Sequence, residues 1–408
     1  MEREATALLE RLELDLPLRS RLGDLGKARG QLVEIAKALL QDARILILDE
    51  PTAALSVKDA DALLETVRGL KANGVGLIYI SHRLEEVTLI SDRVTVLRDG
   101  EAVGHTIGAE ATQDWMIARM VGREVGSLYP RYLRPVGKPL LEVRGLSRSG
   151  LLGTGVLEDV SFTVHEGEIV GLAGLVGSGR TELARALFGI DPFDSGTVTL
   201  EGKPVRRDPR GAVEQGLALL PEDRGRQGLV LPFSIRQNLS LPSLNFGGWL
   251  RPSQEDALSK EFIEKLDIRP ALPGLLASAL SGGNQQKIVI GKWLATRPKL
   301  LILDEPTQGV DVGAKAEIHR TIDALVQEGL GILMISSELL EILGMADRIL
   351  VMHRGRVAGE LPRGSSQEDV MRLATLGRVP DELVGSSSPD SIPPGPNLPG
   401  SGEVNHVH

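Results

Sequence analysis

One segment of this 408-residue chain occurs twice, and that repeat constrains the architecture more than any other feature. ILILDEPTAALS at 45–56 returns as LLILDEPTQGVD at 300–311, an offset of 255 positions. Without a gap, the same offset pairs Ile80-Ser81-His82 with Ile335-Ser336-Ser337 and Ser91-Asp92-Arg93 with Ala346-Asp347-Arg348. It also carries Gly100 onto Gly355, Gly104 onto Gly359 and Gly122-Arg123 onto Gly377-Arg378. Two copies of one domain therefore stand in tandem. The second fills roughly 139–378, whereas the first holds only the part matching later residues of the second, because Met1 falls opposite a position near 255. The expectation is a first unit without its opening half, through a shortened gene, a mis-assigned start codon or a deliberate fragment.

The length exceeds one typical domain, and 42% hydrophobic residues suffice for two cores, built from aliphatic side chains because aromatic residues make up only 3%. A formal net charge of −9 offers no broad attraction to phosphate backbones or anionic lipid, which disfavours nucleic acid as the main partner. Without cysteine there is no disulfide or thiolate metal site, a composition that suits a reducing cytoplasm. The charged start MEREATALLERLEL is unlike a signal peptide. No apolar run reaches eighteen residues, so a membrane role is expected to come through a partner.

Short aliphatic runs at Ala43–Leu48, Gly76–Ile80, Arg93–Leu97, Ile169–Ala173, Leu300–Leu303, Gly331–Ile335 and Arg348–Met352 read as buried strands. Lys58–Ala72 and Ala314–Gln327 repeat apolar residues every three or four positions and read as amphipathic helices. Their alternation implies an α/β fold with a largely parallel sheet. The organisation expected is a partial first domain at 1–104, a connection at 105–138, a second domain at 139–380 and a disordered Pro/Gly/Ser-rich tail at 381–408.

Gly174-Leu175-Val176-Gly177-Ser178-Gly179-Arg180-Thr181 follows the strand IVGLAG and precedes the helical run ELARALFG. That is the context of a phosphate-binding loop, in which glycines expose backbone N–H groups and the helix dipole favours an anion. The Thr181 hydroxyl is placed for Mg²⁺. Arg180 stands where such loops carry lysine, and a planar guanidinium holds phosphate charge without the compact ammonium geometry, so binding is expected to survive better than hydrolysis. A solvated acidic turn would explain one Asp-Glu pair, but here two strand ends deliver the pair, each followed by Pro-Thr. Asp304 would hold the Mg²⁺ shell and Glu305 would polarise the attacking water.

Leu280-Ser281-Gly282-Gly283-Asn284-Gln285 opens a helical run 24 residues before Asp304, again with small residues at a helix start. Here the sequence resembles the ABC ATPases, whose signature is LSGGQ: Ser281, Gly282 and Gly283 match, Asn284 departs, and Gln285 follows. The resemblance, over about 1–378, implies a P-loop NTPase fold of ABC type with two tandem nucleotide-binding domains, the first incomplete. It implies ATP and Mg²⁺, and two composite sites in which the signature of one domain closes on the P-loop of the other. One composite site would use Asp49 on the metal, Glu50 and His82 as catalytic residues, and Ser281–Gly283 opposite. The other would use Gly174–Thr181, Glu222 at the usual Q-loop glutamine, Asp304, Glu305, and Ser337 where the switch histidine is expected. It would face the degenerate signature Leu25-Gly26-Lys27-Ala28-Arg29-Gly30-Gln31 and bind more than turn over.

Arg180, Pro221-Glu222-Asp223-Arg224, Ser336-Ser337-Glu338 and Met120–Glu124 are together similar to the fused ATPase subunits of ribose, galactose and xylose importers. That likeness implies ATP-driven monosaccharide import, membrane permease partners, an indirect periplasmic or lipoprotein sugar-binding protein, no nucleic acid, a homodimer as one possible assembly, and a peripheral place at the cytoplasmic face of the membrane. EDRGRQGLVL at 222–231 would touch the permease, and Leu151 or Leu152 would pack on adenine where no aromatic residue stands. The alternatives are a catalytically weak, aggregation-prone ABC fragment and, less favoured, a soluble tandem ABC ATPase acting on ribosomes or nucleic acid, for which 105–138 lacks a long charged helix.

Overall fold

The computed structural model describes residues 27–40, 43–52, 55, 57–81, 83–98, 100–121, 129, 135–150, 156–243 and 252–377, with scattered positions before 27 (6, 9, 18–22 and 25). His82, Gly26, Leu151, Leu152 and the tail at 381–408 lie outside the described residues. In the first half the order is α1 (Lys27–Leu39), β1 (Ile45–Asp49), α2 (Val57–Ala72), β2 (Gly76–Ile80), α3 (Leu84–Ile90), β3 (Arg93–Arg98), β4 (Glu101–Ile107) and α4 (Gln113–Val121). The second half begins with β5 (Pro139–Arg148), β6 (Leu157–His165), β7 (Ile169–Gly174), α5 (Arg180–Leu187), β8 (Ser195–Leu200), β9 (Lys203–Pro204), α6 (Pro209–Gln215) and β10 (Leu217–Leu220). It continues with α7 (Ile235–Ser240), α8 (Pro252–Lys265), α9 (Gly282–Leu294), β11 (Leu300–Asp304), α10 (Val312–Gln327), β12 (Gly331–Ile335), α11 (Leu339–Met345), β13 (Arg348–His353), β14 (Arg356–Pro362) and α12 (Gln367–Leu376).

The second half is built on a six-stranded sheet ordered β10-β11-β12-β7-β13-β14, parallel except for the antiparallel edge strand β14. Successive residues of its strands enter opposite cores. Ile169, Ala173, Leu301, Leu303, Ile332 and Met334 lie in one, and Val170, Leu172, Leu300, Ile302, Leu333 and Ile335 in the other. Burial on both faces explains why these strands read as continuous apolar runs and not as alternating ones. An antiparallel sheet, β6-β5-β8-β9, covers the second core. The aliphatic runs do not include this sheet; its strands, buried on one face, alternate apolar Val160, Phe162 and Val164 with Ser161 and Thr163. The entry of β7 is pinned by polar groups: Asp347 Oδ2 accepts from Ile169 N at 2.8 Å, and Arg348 Nε donates to Glu168 Oε1 at 2.6 Å.

Among the described residues the first half repeats only the later elements: β10 and the antiparallel sheet that covers Leu300, Ile302, Leu333 and Ile335 have no counterpart there. β1 and β2 pair in parallel with the register of β11 and β12, and β3 and β4 pair as β13 and β14 do. The strand that joins the two pairs in the second half is β7, and among the described residues the first half has no counterpart, so β1-β2 and β3-β4 are separate two-stranded sheets. Ile45, Ile47, Ile78 and Ile80 are 67, 63, 51 and 47% exposed, while Leu300, Ile302, Leu333 and Ile335 at the matching positions are at most 1% exposed. Asp92, the counterpart of Asp347, instead pairs with Lys71 at 2.7 Å.

The connection expected at 105–138 begins later than the sequence suggests. Residues up to Ile107 complete β4, and α4 packs on β3 of its own half and on α10 of the second. Met116, 2% exposed, belongs with Val94, Val96 and Ala111 to a small apolar cluster, which is the physical reason this segment folds. No described helix is long and apolar enough to cross a membrane.

Candidate functional site

The loop between β7 and α5 wraps around an uncapped helix start. Gly179 takes φ 104° and supplies no side-chain bond, so the first N–H groups of α5 are open to an anion. Gly174 has φ 152°, and a Cβ there would stand 2.6 Å from the Met352 carbonyl oxygen, so only glycine fits this close passage. Ser178 is buried with its Oγ unpartnered, its carbonyl oxygen accepts from Gly355 N at 2.8 Å, and its N–H donates to Leu175 O at 3.0 Å. Val176, at the tip, is 94% exposed. Gly177 and Leu175 complete the turn.

Around this loop the fold gathers residues from four strand ends. The Thr181 side chain, on the first turn of α5, lies beside Asp304 at the end of β11 and favours its ionised form. Arg180 Nη1 donates to the carbonyl of Ser336 just beyond β12 at 2.8 Å. Ser337 Oγ donates to Glu305 Oε2 at 3.0 Å. Glu222, beyond β10, lies close enough to act electrostatically on Asp304. Burial pushes the Asp304 carboxyl up to about 7, with the neighbouring charges of Glu305 and Glu222 adding to the rise and the Thr181 side chain and Arg180 opposing it. Burial also raises Glu305, against hydrogen bonds from Ser337 and the charge of Arg180. Glu305 sits at φ 52° with its N–H on the Ile335 carbonyl at 2.9 Å; its counterpart Glu50 repeats this at φ 44° on Ile80, also 2.9 Å. Two non-glycine residues held at positive φ in the same place are strain retained for position.

A divalent cation suits this donor set. Asp304 Oδ1 is a buried oxygen with no hydrogen-bond partner, and the Thr181 side chain stands beside the same carboxylate. One carboxylate, one hydroxyl and room for phosphate oxygens and water match the habits of Mg²⁺. Asp49 and Glu50 at the matching strand end of the first half are both exposed.

Ser281 caps α9, its Oγ receiving Asn284 N–H and Asn284 Nδ2, while Asn284 Oδ1 accepts from Arg269 N at 2.8 Å. Gln285 Nε2 donates to the carbonyls of Ala277 and Leu280. A Cβ on Gly282 would meet Arg224 and the Gly309 carbonyl, and one on Gly283 would meet Ala314 at 2.5 Å, so both glycines are required by close packing. Arg224 is a functional candidate that sequence reading undervalues: its guanidinium donates to the carbonyls of Gln308 and, at 2.9 Å, Gly309. It thus ties the 222–231 loop to the turn after β11 and to the start of α9. Lys292 of α9, lowered to about 8 by burial, donates to the Gly228 carbonyl from the other side. Arg224→Ala should leave the fold intact and increase the protease sensitivity of the loop 222–231, because two carbonyls return to solvent and one anchor of the loop is lost; limited proteolysis checks this.

A mostly parallel sheet with a phosphate-type loop at its centre, paired carboxylates on the neighbouring strand and a helix start bearing Ser-Gly-Gly defines an ABC-type ATP-binding protein. The ABC transporter family model matches residues 157–308. A ribose import ATP-binding protein of Rubrobacter xylanophilus is 52% identical over 92% of this chain and 76% of its own length. One from Geobacillus kaustophilus is 47% identical over the same shares, and one from Streptomyces coelicolor 48% identical over 92% and 72%. Among solved structures, the ATP-binding subunit of an ABC transporter covers 58% of this chain and 99% of its own, at 25% identity and a TM-score of 0.50. The chain belongs to the family of import ATP-binding proteins of ABC transporters and, as such, is an ATP-binding ATPase subunit.

Proposed function

We propose that the chain powers import of a monosaccharide, or a related small polar solute, through a membrane permease by binding and hydrolysing ATP at the cytoplasmic face of the membrane. The observation that carries this reading is the meeting of Arg180, Thr181, Asp304 and Glu305 around one glycine-rich loop, in a chain about half identical to ribose import proteins. Residues 139–380 form one nucleotide-binding unit and 1–104 the matching part of a second, with a sugar-binding protein delivering cargo on the far side of the permease. Mg²⁺ would supply charge neutralisation between the phosphates.

In this reading Gly174–Gly179 turn N–H groups to the phosphates, Arg180 adds charge, and Thr181 and Asp304 hold the cation. Glu305 orients a water and accepts its proton, and Ser337 orients Glu305. Arg180 must leave the Ser336 carbonyl to reach a phosphate. Ser281, Gly282, Gly283, Asn284 and Gln285 would face a nucleotide on the opposing unit, beside Asp49, Glu50 and His82, within one chain or across a homodimer.

The test is uptake of radiolabelled ribose, galactose and xylose by cells carrying the chain with its permease, together with nucleotide affinity of the purified chain. Arg180→Ala should weaken binding of a fluorescent ATP analogue by about tenfold or more, since a charge-assisted contact to phosphate is lost. A chain that leaves ATP unbound, or uptake indifferent to the chain's presence, would sink the proposal.

A further inference from the structure

Both halves bury one glutamate behind the Asp-Glu-Pro-Thr turn. In the second half this is Glu341 on α11, 1% exposed. Thr307 Oγ1 donates to its Oε1 at 2.8 Å, His319 Nε2 of α10 lies 2.6 Å from the same oxygen, and the Ser336 side chain, whose Oγ accepts from Glu338 N at 3.0 Å, lies close enough to favour the ionised carboxylate. In the first half the matching residue is Glu86 on α3, 4% exposed. Thr52 Oγ1 donates to its Oε2 at 2.7 Å, Ser81 Oγ at 3.3 Å and Tyr79 Oη at 2.7 Å, while Arg83 pairs with Oε1 at 2.9 Å.

The comparison between halves separates what is retained from what is replaceable. His319 has no equivalent among the partners of Glu86, and Tyr79 and Arg83 have none among those of Glu341. The threonine two residues after the catalytic glutamate and the serine just after the following strand are common to both. A buried carboxylate is costly, and apolar residues of similar volume would hold a core at least as well. Each is only half satisfied: Glu341 Oε2 is buried without a hydrogen-bond partner, and Glu86 Oε1 has only its ion pair with Arg83. A carboxylate kept in both halves at that cost, with different helpers, points to the threonine and the serine as what is being held. Those two residues flank the chemistry. Thr307 ends the turn that begins with strained Glu305, and Ser336 precedes Ser337, whose hydroxyl donates to Glu305, while its own carbonyl receives Arg180.

We propose that Glu86 and Glu341 are positioning residues, each strapping the turn after the Asp-Glu-Pro strand end to the switch segment after the next strand, so that the catalytic glutamate and the switch residue keep one mutual geometry. In the second half the strap also reaches the connection between halves. The Tyr129 ring lies 5.1 Å from that of His319, tilted by 36°, and sits so close to Gly344 that a Cβ there would stand 2.5 Å from it. The catalytic part of this inference rests on the ATPase reading above; the strap itself does not.

The experiment compares Thr307→Val, which keeps the shape and removes the hydroxyl, with Thr307→Ser, which keeps the hydroxyl, in the full chain. Backbone amide exchange is followed in peptides covering 305–310 and 335–338, with β7 as an internal reference. Thr307→Val should speed exchange about tenfold in both peptides, the scale of one hydrogen bond to a charged group, leave β7 unchanged, and lower ATP turnover about tenfold at unchanged nucleotide affinity. Thr307→Ser should restore both readouts, and Thr52→Val should act in the same way on the peptides around Glu50 and Ser81. Exchange that changes only in 305–310, or equally in all peptides including β7, overturns the strap, as does equal behaviour of the Val and Ser variants. A chain that binds no nucleotide overturns the ATPase reading and the catalytic role, while the paired exchange still decides whether the strap exists.

Discussion

Asp304→Asn should lower Mg²⁺-dependent ATP affinity by about a hundredfold, because a cation loses a full charge at a contact shielded from water. Asp304 is 3% exposed, and burial pushes its carboxyl up to about 7. The sign follows from that rise. A carboxyl whose folded-state value lies above its ordinary 3.8 contributes its stability in full below that value and loses it as pH climbs through about 7. In the cation-free protein Asp304 therefore favours the folded state at low pH and weighs against it near neutrality. A bound cation reverses the preference by competing with the proton. Mg²⁺ affinity of the unsubstituted chain should accordingly fall by about tenfold for each pH unit below 7, over and above the protonation of ATP itself. The amide introduced by Asp304→Asn has no proton to lose, so that additional slope should vanish in the variant. Titration of Mg²⁺ against a fluorescent ATP analogue, in both proteins from about pH 5.5 to 8 so as to bracket the raised carboxyl, separates the two contributions. Identical slopes would remove Asp304 from the cation site.

Leu333→Asp should unfold the second half, whereas Ile78→Asp, at the same place in the repeat, should shift stability by no more than about 1 kcal/mol. Leu333 is fully buried at the centre of the six-stranded sheet, and an unpaired carboxylate there costs several kcal/mol. Ile78 is 51% exposed on a two-stranded sheet, where a carboxylate keeps its water. Because Ile45, Ile47, Ile78 and Ile80 form one apolar face that no described residue covers, Ile78→Asp should also raise the concentration at which the chain stays monodisperse. Thermal melts followed by circular dichroism, with light scattering, read both effects. Equal destabilisation by the two substitutions would mean that Ile78 is covered in solution.

Much of the architecture is legible without coordinates. The offset between the two Asp-Glu-Pro-Thr segments carries the tandem organisation, and the aliphatic runs place β7, β11, β12 and β13 to within a residue or two, because strands buried on both faces leave an unbroken apolar signature. The same offset pairs Thr52 with Thr307 and Glu86 with Glu341, so the signal for the buried straps is present. Spacing alone does not separate them from an exposed helix-start acid.

What the sequence by itself determined is the local chemistry: a glycine-rich turn ending in Arg-Thr, carboxylates at strand ends and small residues at the start of α9, all set by backbone freedom and residue type. Only the tertiary structure decided which of these meet. It brought Arg180 onto the Ser336 carbonyl across 156 positions and Arg224 onto the Gln308 and Gly309 carbonyls across 84 and 85, and it let α4 fold where a bare connection was expected. Such contacts depend on the order of strands in the sheet, with β7 between β12 and β13. That order arises from long-range parallel pairing, which leaves no periodic trace in the residues it joins.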